Sequence, residues 1–154
     1  MNILLLYATN SGGTQQASQM VASQLQEKGH TVSMKNPKES KTDEIAGADL
    51  VIFASPSWDY QDKEGQPHED FFPLLQSFEG KTMDGKSFAI LGLGDSSYAH
   101  FCGAVEEFEK VVQNLKGKLV VGSLKIDGYY LHMDESNQAV KDWTEKLLAT
   151  LPAS

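Results

Sequence analysis

The chain has 154 residues, 40% of them hydrophobic, and a formal net charge of −8. This length suits one domain with a single core that folds without disulfides, so we expect one domain over residues 1–154. All thirteen basic residues are lysine and twenty-one acidic residues outnumber them. That balance excludes a surface for the phosphate backbone of nucleic acid.

Charge, cysteine content and apolar runs also bear on location and partners. No apolar run approaches the roughly 20 residues that cross a bilayer, so we expect no membrane association. The chain opens directly into an apolar run and has one cysteine, Cys102, which predicts a reducing cytoplasm and no internal disulfide. Residues 1–42 carry +2 and residues 43–154 carry −10, which predicts a partner with a basic docking surface.

Strand-like and helix-like segments alternate along the whole chain, with no repeat or linker. Nearly continuous apolar runs at residues 2–8, 50–54 and 87–91 predict central parallel strands covered on both faces. Residues 31–34 are short and mixed, as in an edge strand, and a further strand is expected within residues 118–124. The alternation predicts an α/β fold built from parallel strand-helix-strand units.

Apolar residues at helical spacing predict the helices between these strands. One pattern runs from Ala17 to Leu25, and another from Val105 to Leu115, each followed by a glycine that suits a helix end. A last helix is expected over residues 136–151, and a weaker one over residues 68–78. Five strands and four or five helices result.

Three connections follow the carboxyl ends of the predicted central strands, at residues 9–13, 55–67 and 92–101. Ligands bind at that edge of an open parallel sheet. The first connection continues into small, hydroxyl-bearing, amide-bearing or glycine residues before a helix: Thr9, Asn10, Ser11, Gly12, Gly13 and Thr14. Such a loop combines unpaired N–H groups with a positive helix dipole, which stabilises a phosphate. The same residues suit an ordinary capped turn equally well.

The other two connections each place an aromatic residue beyond a strand end, Trp58 in the second and Tyr98 in the third. If the two rings face each other, they form a slot for a planar ring. Either aromatic alone suits ordinary packing. A phosphate loop together with a slot for a planar ring indicates flavin mononucleotide (FMN). A Walker lysine and a G-x-G-x-x-G fingerprint are both absent, which disfavours nucleotide hydrolysis and NAD binding.

In these three loops, and over nearly its whole length, the chain resembles the flavodoxin family in its short-chain branch. The stretch Gly94-Asp95-Ser96-Ser97-Tyr98, continuing to Phe101-Cys102-Gly103, is the most specific part. The resemblance implies a flavodoxin-like three-layer sandwich, with a five-stranded parallel sheet in the order 2-1-3-4-5 and helices on both faces. It also implies a low-potential single-electron carrier with non-covalent FMN, rather than an enzyme. Its partners would be reductases and other oxidoreductases, and we expect a monomer.

The resemblance assigns the cofactor-binding residues. The phosphate would lie in the loop from Thr9 to Thr14, with Ser55 or Ser57 as further hydroxyls because Pro56 stands where relatives often have one. The flavin would contact Trp58, Asp59, Gly94, Asp95, Tyr98, His100, Phe101 and Cys102, the last through its backbone N–H. The four histidines and Cys102 show no metal-ligand spacing, so no metal site is expected.

Five residues depart from the family pattern: Gly13, Gln15, Ser18, Pro56 and Asp59. Gly13 and Pro56 each remove a side-chain contact, which predicts weaker FMN binding. Asp59 follows Trp58 where many relatives have glycine, and aspartate adopts a positive φ less readily. We therefore expect less stabilisation of the one-electron-reduced flavin. The acidic segment 59–67 is either a rim that selects partners or an ordinary solvated loop.

Other functions remain open from the sequence. An FMN-dependent NAD(P)H:quinone reductase-like enzyme shares the flavin site, although no segment offers a nicotinamide nucleotide site. A receiver domain of the same topology needs acidic residues after the first and third strands, where this chain has Thr9-Asn10 and Ser55-Pro56. A plain interaction module with an empty site is the remaining alternative.

Overall fold

A computed structural model describes residues 1–9, 12–60, 63–94, 103–129 and 131–151, with the backbone alone for residues 58–60 and 63–65. The strands are β1 (Asn2–Tyr7), β2 (Thr31–Lys35), β3 (Leu50–Tyr60), β4 (Lys63–Pro67), β5 (Ser87–Gly94), β6 (Lys118–Leu119) and β7 (Leu124–Asp127). The helices are α1 (Gly13–Glu27), α2 (Thr42–Gly47), α3 (Phe72–Ser77), α4 (Gly103–Asn114) and α5 (Met133–Thr150). Short 3-10 helices occupy Pro37–Glu39 and Glu69–Phe71.

The main sheet has the strand order β2-β1-β3-β5-β6, and β7 also pairs with β5. Every pair on this path is parallel. Because β6 and β7 lie along the same side of β5, they form one interrupted edge strand. This confirms the predicted parallel α/β sheet in the order 2-1-3-4-5.

The strand predicted within residues 118–124 is present as β6, but the edge strand is interrupted, because β6 ends at Leu119 and β7 begins at Leu124. Between them the carbonyl of Gly122 accepts a hydrogen bond from the indole Nε1–H of Trp143, at 2.7 Å. The contact with α5 therefore replaces strand pairing at this point.

Both faces of the sheet are covered, which explains why the central strands read as continuous apolar runs. Successive side chains of a strand point to opposite faces. On one face Leu6 and Phe53 pack with residues of α2, α3 and α4, and the rings of Phe53 and Phe108 stack with centroids 5.0 Å apart. On the other face Leu5 packs with residues of α1 and α5.

Three predicted helices are confirmed as α1, α4 and α5. The weaker one, over residues 68–78, is a 3-10 helix followed by the short α3. The sequence did not predict α2, because this helix has six residues and buries only Ile45, too few for a periodic pattern. Among the described residues, no helix is long and apolar enough to span a bilayer.

The prediction of an irregular connection over residues 55–67 is wrong, because most of this segment is a β-hairpin. Strand β3 continues to Tyr60 and pairs antiparallel with β4, Ser57 opposite Pro67 and Tyr60 opposite Lys63, with an irregular register between Trp58 and Tyr60. The buried apolar run ends at Ala54, so the sequence showed where the sheet core ends and not where backbone pairing ends. Strand β5 likewise continues past Leu91 to Gly94.

Candidate functional site

The carboxyl ends of β1, β3 and β5 lie side by side at one edge of the sheet. Tyr7 is in register with Ala54, and Pro56 with Leu93. The N–H of Ala8 continues the first pairing with a bond to the carbonyl of Ala54, at 3.2 Å. From β1 the chain continues to β2 on one side, and it then returns to β3 on the other side of β1. The strand order therefore reverses between β1 and β3. Ligands of open α/β sheets bind in the crevice at this point.

The loop after β1 leads into α1, and none of the described side chains caps this helix. Gly12 has φ +91, which is left-handed backbone, and its N–H donates to Oγ1 of Thr9 at 2.8 Å. The carbonyl of Gly12 accepts the bond from Gln16 N–H, at 3.0 Å, so helical bonding begins there. No acidic side chain stands in the first turn of α1. The N–H groups of the first turn have no intrahelical acceptor, so this helix start is compatible with a bound anion.

The predicted phosphate residues are partly placed by the structure. Thr9 adjoins β1, Gly12 precedes α1, and Gly13 and Thr14 are buried at its start. Asn10 and Ser11 lie outside the described residues. The arrangement fits a phosphate, since glycine at this position lets backbone N–H groups approach an anion without a Cβ in the way.

Ser55 and Ser57 make hydrogen bonds within the protein that the sequence did not reveal. The buried hydroxyl of Ser55 donates to the carbonyl of Pro56 at 2.8 Å and accepts from the N–H of His68 at 2.9 Å. The hydroxyl of Ser57 accepts from the N–H of Ala104 at 2.9 Å, and its own hydrogen is left for another acceptor. Contact of either hydroxyl with a phosphate stays a prediction.

The structure describes only some of the residues that are predicted to contact the flavin ring. Gly94 ends β5, and its carbonyl accepts a bond from Gly128 N–H at 2.9 Å. Trp58 and Asp59 are described by their backbone in the hairpin, Trp58 opposite Gln66. The remaining predicted residues lie outside the described part of the chain: Asp95, Tyr98, His100, Phe101 and Cys102.

The segment after β7 joins this edge of the sheet, which the sequence did not predict. Asp127 is in register with Gly94, and the bond between Gly128 and Gly94 ties the following turn to the end of β5. Leu131 in that turn is 81% exposed, and Asp134 and Glu135 follow in the first turn of α5. Exposed apolar and acidic side chains thus follow the turn that is bonded to the end of β5.

A network of polar side chains anchors the chain after the hairpin. Burial alone would raise the pKa of Asp70, but hydrogen bonds from Asn36 at 2.9 Å and Lys38 at 3.0 Å, with the nearby charges, hold that pKa below its usual range. The N–H of Asp70 donates to Nδ1 of His68 at 3.1 Å. His68 also meets Ser55, so this network links β3 to both 3-10 helices. Within the described ranges, no group of three His, Cys, Asp or Glu could hold a metal ion.

The family model described as "Flavodoxin" matches residues 5–143. A flavodoxin of Maridesulfovibrio salexigens is 34% identical over 126 residues, which are 81% of this chain and 85% of the relative. This chain belongs to the flavodoxin family. The match confirms the resemblance to short-chain flavodoxins, and with it the predictions of FMN as cofactor and of an electron carrier rather than an enzyme.

Two further similarities extend the comparison. The flavodoxin of Fusobacterium nucleatum, whose structure is bound to flavin mononucleotide, shares the fold with a TM-score of 0.82 at 18% identity, covering 98% of this chain and 99% of that one. The sulfite reductase [NADPH] flavoprotein alpha-component of Neisseria meningitidis is 29% identical over 153 residues. That alignment covers 97% of this chain and 24% of the relative. This chain is therefore similar to one part of that larger flavoprotein.

Proposed function

We propose that this flavodoxin-family protein carries single electrons at low potential between redox enzymes, with the phosphate of FMN in the loop of residues 9–14. The observation that carries this proposal is the start of α1, where Gly12 is left-handed and none of the described side chains caps the helix. The bound flavin supplies the redox chemistry. The protein supplies binding, orientation and electrostatics.

In this proposal the phosphate accepts hydrogen bonds from the first-turn N–H groups of α1, with Thr9, Asn10, Ser11 and Thr14 as neighbouring polar side chains. The loop from residue 9 to residue 14 contains no lysine, so nothing there neutralises the phosphate. The flavin would lie between Trp58 and Tyr98, beside the end of β5. Unneutralised negative charge opposes the addition of electrons, which supports a low reduction potential.

We further propose that the partners are reductases and oxidoreductases with basic docking surfaces. The support is the −10 charge of residues 43–154, together with the exposed acids Asp127, Asp134 and Glu135 beside the third loop. Similarity to part of a sulfite reductase flavoprotein also supports an oxidoreductase partner. A monomer is proposed because the net charge of −8 disfavours self-association, and a cytoplasmic location because one cysteine suits a reducing compartment.

A visible spectrum of the purified protein, followed by stepwise reduction, tests the cofactor and the carrier role together. We expect the absorption bands of oxidised flavin, bleaching with a chemical reductant, and no bleaching with NADPH alone. A colourless protein that also fails to bind added FMN would contradict the proposal. Bleaching by NADPH alone would instead favour the reductase-like enzyme.

The docking surface is tested by electron transfer from the FMN-loaded, reduced protein to cytochrome c, a basic haem protein. The variant Asp134→Asn/Glu135→Gln should slow transfer severalfold at low ionic strength, because steering by charge weakens. The matched control is Glu79→Gln/Asp84→Asn, which removes two exposed acids just before the amino end of β5. Equal rates for the two variants would contradict docking at the edge beside α5.

A further inference from the structure

The turn that follows β7 carries the most exposed large apolar side chain in the described part of the chain. Three large apolar side chains are exposed in the described ranges: Leu119 at 37%, Leu131 at 81% and Met133 at 37%. Leu131 and Met133 both belong to this turn, which we call the Leu131 turn and define by its described residues 128, 129 and 131–133. A leucine that stays in water adds no hydrophobic stabilisation to the fold, so its apolar surface is left for a partner to cover.

Backbone hydrogen bonds fix the position of Leu131. The N–H groups of Leu131 and His132 both donate to the carbonyl of Gly128, at 2.9 and 3.3 Å. Gly128 has φ +58, and the Cδ1 atom of Leu131 lies 3.4 Å from the point where a Cβ on Gly128 would stand. Tyr129, in contrast, is buried in the core cluster that contains residues of α1 and α5. The turn thus presents Leu131 on an ordered backbone, so that covering it costs little conformational entropy.

The Leu131 turn is joined to the strand that leads into the predicted flavin loop. The N–H of Gly128 donates to the carbonyl of Gly94 at 2.9 Å. Gly94 is the last residue of β5 and one of the predicted flavin contacts. Electron transfer requires the redox group of a partner to come close to the flavin. A docking contact at this end of the sheet therefore suits the proposed function.

Acidic side chains flank the two exposed apolar residues. Asp127 precedes the turn, Asp134 and Glu135 follow it in the first turn of α5, and all three are exposed. Lys125 is the nearest lysine in the sequence, and its Nζ lies 3.7 Å from Oε1 of Glu106, which offsets its charge. An apolar centre with a charged rim is typical of a surface that binds another protein, and an acidic rim fits a basic partner.

We propose that Leu131, with Met133 two residues further on, is the apolar anchor through which this protein docks a redox partner that presents an apolar patch ringed by basic side chains. This inference rests on the electron-carrier function proposed above, and it adds a contact that charge alone does not supply. Steering by the acidic rim speeds the encounter and weakens as salt is added. Burial of Leu131 stabilises the docked complex and is not screened by salt, because the hydrophobic effect does not depend on charge.

The test measures anaerobic electron transfer from the FMN-loaded, reduced protein to cytochrome c, whose exposed haem edge is apolar and surrounded by lysines, at low and high sodium chloride concentration. Leu131→Ala removes most of the apolar side chain, and Leu131→Met retains it. The matched control is Leu119→Ala, which truncates the other exposed leucine, on β6 beside the amino end of β5. Oxidation of the reduced protein by dioxygen, which needs no docking surface, reports on the flavin itself.

We expect Leu131→Ala to lower the second-order rate constant about threefold or more at both salt concentrations, whereas Leu131→Met and Leu119→Ala stay within about twofold of the parent. The variant Asp134→Asn/Glu135→Gln should differ from the parent at low salt and approach it at high salt, because salt screens the lost charges. All variants should react with dioxygen at the parent rate.

A Leu131→Ala variant that transfers electrons as fast as the parent would overturn the docking proposal and leave the carrier function intact. Equal slowing in Leu131→Ala and Leu119→Ala, a Leu131→Ala effect that disappears at high salt, or slower oxidation of Leu131→Ala by dioxygen would also overturn it, since none of these results indicates an apolar docking contact. A parent protein that binds no FMN or transfers no electrons would overturn the proposed function, and the docking proposal with it.

Discussion

The hydroxyl of Ser57 accepts a hydrogen bond from the backbone N–H of Ala104, at 2.9 Å, so the outer part of β3 holds the first turn of α4. Ala104 lies just beyond the predicted flavin loop of residues 95–102. Before that loop, the carbonyl of Gly94 accepts from the N–H of Gly128. The two segments that flank this loop, ending at Gly94 and beginning at Gly103, are therefore fixed to other elements.

Replacing Ser57 with alanine should lower the free energy of unfolding of the apoprotein by about 1 kcal/mol, because the Ala104 N–H loses its acceptor at a helix start. Chemical denaturation measures the change. Ser57→Thr keeps a hydroxyl and should stay close to the parent. Alanine and threonine variants of equal stability would show that the bond contributes nothing.

Gly12→Ala should weaken FMN binding and destabilise the protein by about 1 kcal/mol, because a side chain at φ +91 is strained. Fluorescence quenching of FMN on titration with apoprotein gives the affinity. Gly47→Ala is the control, since nothing lies within 4 Å of a Cβ there. If Gly12→Ala binds FMN as tightly as the parent, the phosphate is not held by this loop.

Asp59→Gly should increase the largest fraction of one-electron-reduced flavin seen during reductive titration. Asp59 lies in the irregular stretch of the hairpin between Trp58 and Tyr60, and glycine adopts a positive φ there at less cost. The spectrum of the FMN-loaded protein measures that fraction. Asp59→Ala removes the same charge but keeps a Cβ, so it should leave the fraction near the parent value. An equal rise in both variants would assign the effect to charge rather than to the backbone.

The free energy of unfolding should decrease as the pH falls below about 6.5, through protonation of His30. Burial, followed by the charge of the Met1 amino group, lowers the pKa of His30 in the folded protein. The unfolded chain then binds more protons than the folded one between the lowered pKa and 6.5, so stability is lost on acidification in that window.

Urea unfolding of the apoprotein between about pH 8 and about pH 5 checks this slope. His30→Gln should flatten it, whereas His132→Gln, at an exposed position, should retain it. A slope in His30→Gln as steep as in the parent would assign the pH dependence to other groups.

The parts of the fold that could be predicted are those with a clear local pattern of apolar residues. The central strands β1, β3 and β5 were predictable because both faces are buried, so Leu5 and Leu6 are both apolar although they point to opposite sides of the sheet. The hairpin of β3 and β4 was not predictable, because backbone pairing beyond Ala54 does not require a run of apolar residues. Helix α2 was too short to show a period.

The candidate site also has features that the sequence predicted and features that only the structure showed. Glycine, hydroxyl and aromatic residues after the strand ends indicated FMN, because the amino acids themselves carry that chemistry. The left-handed backbone of Gly12 at the start of α1 was visible only in the structure. The N–H groups that donate to the Ser55 and Ser57 hydroxyls lie 13 and 47 residues away along the chain, beyond the reach of any local pattern.

The sequence by itself determined the family, the cofactor and the order of strands and helices, because these depend on local composition, periodicity and motifs. Only the tertiary structure decided which hydroxyls are already bonded, where the edge strand breaks, and that the turn after β7 is bonded to the end of β5. Such properties arise from hydrogen bonds and charges between segments that are distant in the chain. They exist only once the sheet and its covering helices have brought those segments together.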